Sequence, residues 1–194
     1  MNKRQSLRSI AAVAILGIGS LAFAPGASQA ASKDAERAEV RKVASQTLQR
    51  LYKIQPGAKQ RIGKAAGYAA FSNFGMKILV AGGGKGEGVA VDNKTKRETF
   101  MKMLELQAGL GFGIKKFRIV WVFDTPSAFD KFVNSGWELG AQATAAAQLG
   151  GQGASAAGAI PISPGVWLYQ LTDDGLALEL TAKGTKYYKD DELN

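Results

Sequence analysis

The sequence contains no cysteine and no histidine among its 194 residues. Without them, neither a Ser-His-Asp nor a Cys-His nucleophile pair can be assembled, and no disulfide can form. A zinc site would lack its usual nitrogen and sulfur ligands, which leaves carboxylate sites for hard cations. The glutamates are scattered and no two share a site by spacing, although carboxylates far apart in sequence can meet in a fold. We therefore expect a protein that is not an enzyme and uses no cofactor, with a carboxylate enzyme as an unsupported alternative.

Long apolar runs are also lacking, apart from one stretch near the N-terminus. Residues 1–8 are basic, residues 10–24 are apolar, and residues 28–30 read Ser-Gln-Ala. This order is typical of a secretory signal peptide, with cleavage after Ala30. A membrane anchor is the rival interpretation, but the apolar run is shorter than the roughly 20 residues that a spanning helix needs. We predict a cleaved segment 1–30, a domain 31–194, and a periplasmic or secreted protein.

Acidic residues are in the minority, and the formal charge is +9. Loss of the three basic residues in the signal peptide would lower this charge to +6. A cationic protein outside the cytoplasm rarely meets nucleic acid, so anionic lipid head groups or other acidic envelope polymers are the expected partners. The alternative, that the charge only keeps the protein soluble, stays open.

The first part of the mature chain has a helical pattern. Ser32 is a plausible N-cap, and Asp34 follows in the first turn, where a helix dipole favours acidic residues. Apolar residues then recur at helical spacing until Pro56 and Gly57 break the pattern. The apolar stripe is ordinary in size, so we expect this helix to pack on the domain's own core rather than to lie on a membrane.

Strand patterns dominate the rest of the chain. In residues 114–124, IKKFRIVWVFD, aromatic and apolar side chains alternate with lysine, arginine and valine, which predicts a strand with a large aromatic face turned inward. Thr125 followed by Pro126 predicts the start of a second helix, and residues 172–175 predict a hairpin turn. Residues 140–159 fit a helix, a strand or a loop, with a glycine-rich loop expected around residues 150–153. The order of elements predicts a single α+β domain, with a curved antiparallel β-sheet or partly closed barrel and flanking helices.

Two glycine-rich runs resemble phosphate-binding loops but fail the spacing tests. In residues 79–92, LVAGGGKGEGVAVD, Lys85 is followed by Gly86 instead of a serine or threonine, and a strand follows where a helix is required. The dinucleotide pattern fails as well, because its third glycine would fall at Val89. The run AGLGFG at residues 108–113 fails the same test. Both runs therefore favour tight turns and close strand packing.

Five ordered motifs carry a resemblance to a known family. They are GYAAFSNFG (67–75), GGGKGEGVAVD (82–92), AGLGFG (108–113), FDKFVNSGWELG (129–140) and GVWLYQLTDDGLALELTAKG (165–184). The chain resembles a bacterial, secreted member of the SYLF-domain family, which is related to YSC84. The resemblance implies a non-enzymatic domain that binds phospholipids, and some eukaryotic members also bind actin. In those relatives an amphipathic helix precedes the domain, and residues 35–52 match its position here without a bulky aromatic in the apolar stripe.

The leading hypothesis is a lipid-binding protein that engages an anionic phospholipid membrane through a basic surface. Each basic residue near an anionic surface contributes about 1 kcal/mol, so several must converge. A structural or protein-interaction module of the cell envelope, without a lipid ligand, is the alternative. The candidate lipid contacts are Lys85, Lys94, Lys96, Arg97, Lys115, Lys116 and Arg118.

Overall fold

The computed structural model describes residues 25–78, 81–108, 113–139, 158–173, 175–177 and 184–194. Side chains are described for these residues except 25–29, 73–78, 81–83, 106–108, 113–116 and 177. The helices in the described part of the chain are α1 (Pro25–Ile54), α2 (Pro56–Lys64) and α3 (Pro126–Ser135). The strands described are β1 (Gly67–Ile78), β2 (Ala81–Asp92), β3 (Glu98–Ala108), β4 (Gly113–Phe123), β5 (Trp137–Leu139), β6 (Ile160–Ser163), β7 (Val166–Thr172), β8 (Gly175–Ala177) and β9 (Thr185–Lys189).

All the strands belong to one antiparallel sheet. Their order is β5-β9-β3-β2-β1-β4-β7-β6, and β8 also pairs with β7. The strands β1 and β2 form a long hairpin whose register runs from Gly67 opposite Asp92 to Ile78 opposite Ala81. The predicted α+β domain with a curved antiparallel sheet and flanking helices is confirmed.

The helix α1 is longer than the sequence pattern predicted. It begins at Pro25, so the expected start at Ser32 is wrong, and Ser32 lies inside the helix. Three alanines among residues 27–31 explain the extension, because alanine is the strongest helix former. The predicted apolar stripe is confirmed, and its buried members include Val40, Ala44 and Leu51.

One face of the sheet packs against α3 through an aromatic core. The helix starts as predicted: Thr125 is the N-cap, and its side chain accepts a hydrogen bond from the backbone N–H of Ala128 at 3.3 Å. Trp121 lies at the centre of the core, with its ring centroid 5.1 Å from that of Tyr187 and 5.4 Å from that of Phe132. The predicted inward face of β4 is confirmed, since its aromatic residues are fully buried here. Its members in this core are Phe117, Ile119, Trp121 and Phe123.

The opposite face of the sheet packs against α1 and α2, so the sheet lies between two helical layers. Ala70, Val120 and Tyr169 from the sheet form this second core together with Leu51 and Ile62 from the helices. Among the helices in the described part of the chain, none combines the length and apolar content needed to cross a bilayer.

Three short strands were not predicted, namely β5, β6 and β9. The segment 140–159, which the sequence left open, lies outside the described residues up to 157, and residues 178–183, after the predicted hairpin turn, also lie outside them. The interior of the AGLGFG run, residues 109–112, also lies outside them. The other glycine run, residues 82–88, brings the strands β1 and β2 into close contact near its C-terminal end. A Cβ built on Gly88 would lie 2.5 Å from the carbonyl oxygen of Ala70.

Candidate functional site

The structure divides the seven basic residues predicted to contact lipid into separate groups. Lys94, Lys96 and Arg97 lie in and just after the turn between β2 and β3, and all three are exposed. Lys85 lies on the same strand β2 but seven residues before Asp92, where the strand ends. At about 3.4 Å per residue, the turn is roughly 24 Å from Lys85. The candidates therefore do not form one continuous patch.

The turn itself is held by Asp92. Its carboxylate accepts backbone hydrogen bonds from Lys94 and Thr95, each at 2.8 Å. The hydrogen bond from Thr95 is the main reason that the pKa of Asp92 lies below its usual value. Lys96 has a φ of 61°, a backbone conformation that residues other than glycine rarely adopt. These features fix the turn without bringing its cations near a pocket.

Two further candidates lie on β4. Lys115 pairs with Gly75 and Lys116 with Phe74 in the register between β4 and β1. The side chains of both lysines lie outside the described residues, so their candidate role stays a prediction.

Arg118 and Lys85 both line a cavity beneath α1. The cavity has a volume of about 410 Å³ and lies between α1 and the strands β1, β2, β4 and β7. Arg118 is half-buried in the cavity lining, opposite Ser72 on β1 in the strand register, and Lys85 lines the β2 side with its side chain exposed. We call the apolar part of the lining the apolar wall. It consists of Val40, Val43 and Leu171.

Several charges around the cavity already have partners. Arg50 donates to the backbone carbonyl oxygens of Thr172 at 2.6 Å and Asp173 at 3.0 Å. Glu39 forms an ion pair with Lys42 at 3.0 Å. By contrast, the Nε atom of Arg118 is buried and has no hydrogen-bond partner among the residues that the structure describes.

Glu87 is the acidic neighbour of Lys85 on the cavity lining. Its side chain is exposed, although its surroundings still remove part of its hydration. This desolvation, followed by the nearby carboxylates of Glu36 and Asp190, raises the pKa of Glu87, and Lys102 opposes the shift. A raised pKa means that the ionised form of Glu87 is disfavoured in the folded protein.

Beyond the cavity the same face of the sheet continues, and none of the described helices packs over the adjoining rows. The register places Lys85 opposite Leu104 and Leu104 opposite Lys186, so these three side chains form one row across β2, β3 and β9. The neighbouring row includes Tyr188 opposite Lys102. We call four exposed residues of these rows the open face. They are Lys85, Leu104, Lys186 and Tyr188. The open face is bordered by the exposed Glu87 opposite Lys102 and Glu138 opposite Lys186.

The open face was missed in the sequence because its residues come from three strands. Leu104 and Tyr188 are large apolar side chains, and each is 38% exposed. In β3 the inward positions belong to the buried Met101 and Met103, so alternation points Leu104 outward. An apolar residue in the outward phase of a strand is the signal that could have found this surface.

The helix α1 has its arginines engaged with the domain. Arg37 donates to the backbone oxygen of Leu193 at 2.7 Å, and Arg41 donates to Glu98 at 2.7 Å. Arg41 also lies over the ring of Phe100, 5.1 Å from its centroid. The expectation that this helix packs on its own domain is confirmed.

The fold and these surfaces define an α+β protein with a cation-lined cavity and an adjoining face that is both apolar and basic. Comparison with known proteins gives a family match. Residues 104–194 match the Ysc84 family, described as Las17-binding protein actin regulator. A curated relative, Beta cell expansion factor A from Aeromonas veronii, is 34% identical over 157 residues, which cover 81% of this chain and 58% of the relative.

The resemblance indicated by the five motifs is therefore confirmed over residues 104–194, which match the Ysc84, or SYLF, family model. The match suggests a lipid-binding or actin-regulator-like module, and this family is not a known enzyme family. The matched region of the relative is 58% of its length, so what the whole relative does is not carried over to this chain.

Proposed function

We propose that this protein is a periplasmic or secreted, non-enzymatic lipid-binding protein that engages anionic phospholipid membranes through a basic surface. The family match and the N-terminal sequence support the class of function and the location. The structural observation that carries the proposal is the open face, where Lys85 and Lys186 flank the exposed Leu104. A bilayer offers the matching chemistry: anionic head groups for the lysines and an interfacial layer for apolar side chains.

The open face fits a membrane surface better than the turn at residues 92–97. Tyrosine has an amphipathic ring that favours the membrane–water interface, and Tyr188 is exposed beside the two lysines. The turn carries lysines and an arginine but no exposed large apolar residue. Surface cations without an apolar neighbour contribute an attraction that salt screens.

The expected contributions of single residues to the free energy of vesicle binding are modest, and to a first approximation they add. Two lysines near an anionic surface contribute about 1 kcal/mol each. Reversing both charges should therefore weaken vesicle binding by at least about thirtyfold, since 1.4 kcal/mol corresponds to a factor of ten. Removing the apolar contribution of Leu104 and Tyr188 should weaken binding further and leave an electrostatic attraction that salt screens.

Co-sedimentation with vesicles tests the proposal. The mature protein is mixed with vesicles of phosphatidylglycerol and phosphatidylcholine, or of phosphatidylcholine alone. The salt concentration is varied from roughly 20 to 300 mM, a range over which the Debye length shortens severalfold. Binding is expected to the anionic vesicles and to fall as salt rises. The variant Lys85→Glu/Lys186→Glu is compared with Lys94→Glu/Lys96→Glu, which has the same net charge but alters the turn.

The comparison of these two double variants distinguishes binding at the open face from a general effect of net charge. If the open face binds, the first variant loses binding and the second keeps it within about threefold of the parent. If the turn variant loses as much as the open-face variant, the assignment to the open face is wrong. If the parent does not bind anionic vesicles at low salt, the lipid function is wrong, and an envelope protein-interaction module becomes the better hypothesis.

A further inference from the structure

The cavity beneath α1 is elongated and has one apolar side. Its lining residues on α1 run from Glu39 to Arg50, which corresponds to about 16 Å along a helix axis. The apolar wall takes Val40 and Val43 from the helix and Leu171 from the sheet. The volume of about 410 Å³ falls within the range of small-molecule clefts, about 300–1,000 Å³.

The polar end of the cavity has an unused donor. The Nε atom of Arg118 is buried without a hydrogen-bond partner among the described residues, and Lys85 is available on the adjoining side. A buried polar group of this kind calls for an explanation, and an anionic oxygen is the acceptor that a guanidinium binds best. Arg50 and Glu39 do not compete for this role, because each is held by its own partners.

We propose that the cavity binds one single-chain anionic amphiphile, with its head group on Arg118 and Lys85 and its alkyl chain along the apolar wall. A fatty acid and a lysophospholipid share this chemistry. The apolar wall forms one strip beside one helix, which accommodates one alkyl chain. A phospholipid with two alkyl chains would need a second apolar channel. This inference rests on the proposed lipid-binding function and extends it from a membrane surface to a ligand within the fold.

Titration calorimetry with dodecyl phosphate, below the concentration at which it forms micelles, tests the inference. One molecule is expected to bind per protein. Inorganic phosphate offers the head group alone and dodecanol offers the chain alone, so each should bind at least tenfold more weakly. A fatty acid and a lysophospholipid are then compared as competitors to distinguish the two sources of the ligand.

Two variants test the two ends of the site. Arg118→Met keeps the aliphatic stem and removes the charge, so it should weaken dodecyl phosphate binding at least tenfold, while Arg118→Lys should restore part of it. Ser72→Phe should fill the cavity from the strand side and abolish binding. Lys94→Met is the matched control, because it removes one cation from the distant turn and should leave the affinity unchanged.

The outcomes separate this inference from the proposed function. If the parent binds anionic vesicles but not dodecyl phosphate, the cavity assignment is wrong and the membrane function stands. If inorganic phosphate binds as tightly as dodecyl phosphate, the cavity is an anion site without a role for the chain. If Arg118→Met binds like the parent, the head-group assignment is wrong. If neither vesicles nor dodecyl phosphate bind, both proposals fail together. If the Ser72→Phe variant does not fold, Arg118→Met and the comparison of dodecyl phosphate with inorganic phosphate and dodecanol decide whether the cavity binds the amphiphile.

Discussion

Gly88 lies in β2 opposite Phe71, and the ring of Phe71 covers the space where a side chain would be. A Cβ built on Gly88 would lie 2.4 Å from Cδ1 of Phe71 and 2.5 Å from the carbonyl oxygen of Ala70. Real Cβ atoms do not approach other atoms this closely. The substitution Gly88→Ala therefore forces either the ring or the backbone of β1 to move.

Neither movement is easy. Phe71 is 1% exposed, and its ring centroid is 5.0 Å from that of Tyr187 in an edge-on contact. Overpacking of a dense core typically costs about 1–3 kcal/mol, and contact with both a fixed ring and a backbone oxygen argues for the upper end. For a chain of this size, about 3 kcal/mol corresponds to a melting temperature lower by roughly 6–12 °C.

Propensity alone predicts the opposite sign, which makes the experiment decisive. Alanine is generally preferred over glycine within regular structure, because glycine loses more conformational freedom on folding. Gly63, in α2, provides the control, since a Cβ built there meets nothing within 4 Å. Gly63→Ala should raise the free energy of unfolding by roughly 0.5–1 kcal/mol.

Thermal unfolding followed by circular dichroism, with urea denaturation as a second measurement, compares the two variants with the parent. Gly88→Ala should melt several degrees lower and Gly63→Ala slightly higher. A Gly88→Ala protein that melts within a degree of the parent would show that β1 yields easily, and the close-packing argument for the glycine run would be wrong.

Two further predictions concern charges near the sheet. Lys102 lies 3.0 Å from both Asp190 and Glu192, and the Asp190 side chain is 1% exposed, so Lys102→Met should lower the free energy of unfolding by about 2–3 kcal/mol at pH 7. Those hydrogen bonds raise the pKa of Lys102 above 10.5, so the stabilisation is present below pH 10.5 and is lost as pH rises through the folded-state pKa. A urea midpoint of Lys102→Met equal to that of the parent at pH 7 would contradict the predicted loss of stability. Glu87→Gln should stabilise the protein at pH 7, because desolvation raises the pKa of Glu87 and its ionised form opposes folding. The gain should vanish below pH 4.5, where the carboxyl is protonated in both folded and unfolded states, and an equal gain at pH 4 and pH 7 in thermal melts would refute this origin.

Elements with strong local patterns were predictable from the sequence. The alternation in β4 identified Trp121 and Phe123 as core residues, and Thr125 with Pro126 marked the start of α3. In each case a few neighbouring residues carry the whole signal, because alternation and capping are local.

The short strands could not be predicted in the same way. The strand β5 has three residues and β6 has four, which are too few to establish alternation. The strand β9 contains Tyr187 and Tyr188 side by side, one fully buried and the other 38% exposed, and the pair of identical residues hides the phase. Pairing with β3 fixes which tyrosine faces the aromatic core.

The candidate site was predicted in part for a related reason. Lys85 and Arg118 were both identified as candidates, but the cavity that they share depends on β1, which separates their strands, and on α1 above them. Lys186 and Leu104 were not identified, because they become neighbours only through the register between β3 and β9. Long-range pairing of this kind leaves no trace in local spacing.

The division of one sheet face explains where a ligand can reach this protein. Over β1, β2 and β4 the helix α1 covers the face, and its Arg37 and Arg41 are bound to the domain, so this helix is not free to lie on a bilayer. The parts of this face that α1 does not cover are the cavity along its flank and the rows on β2, β3 and β9. Lys85 belongs to both, since it lines the cavity and begins the row that continues to Leu104. A lipid that leaves a membrane bound at the open face would therefore meet Lys85 at the entrance to the cavity, and charge reversal at Lys85 alone should weaken both vesicle binding and dodecyl phosphate binding, whereas reversal at Lys186 should weaken vesicle binding alone.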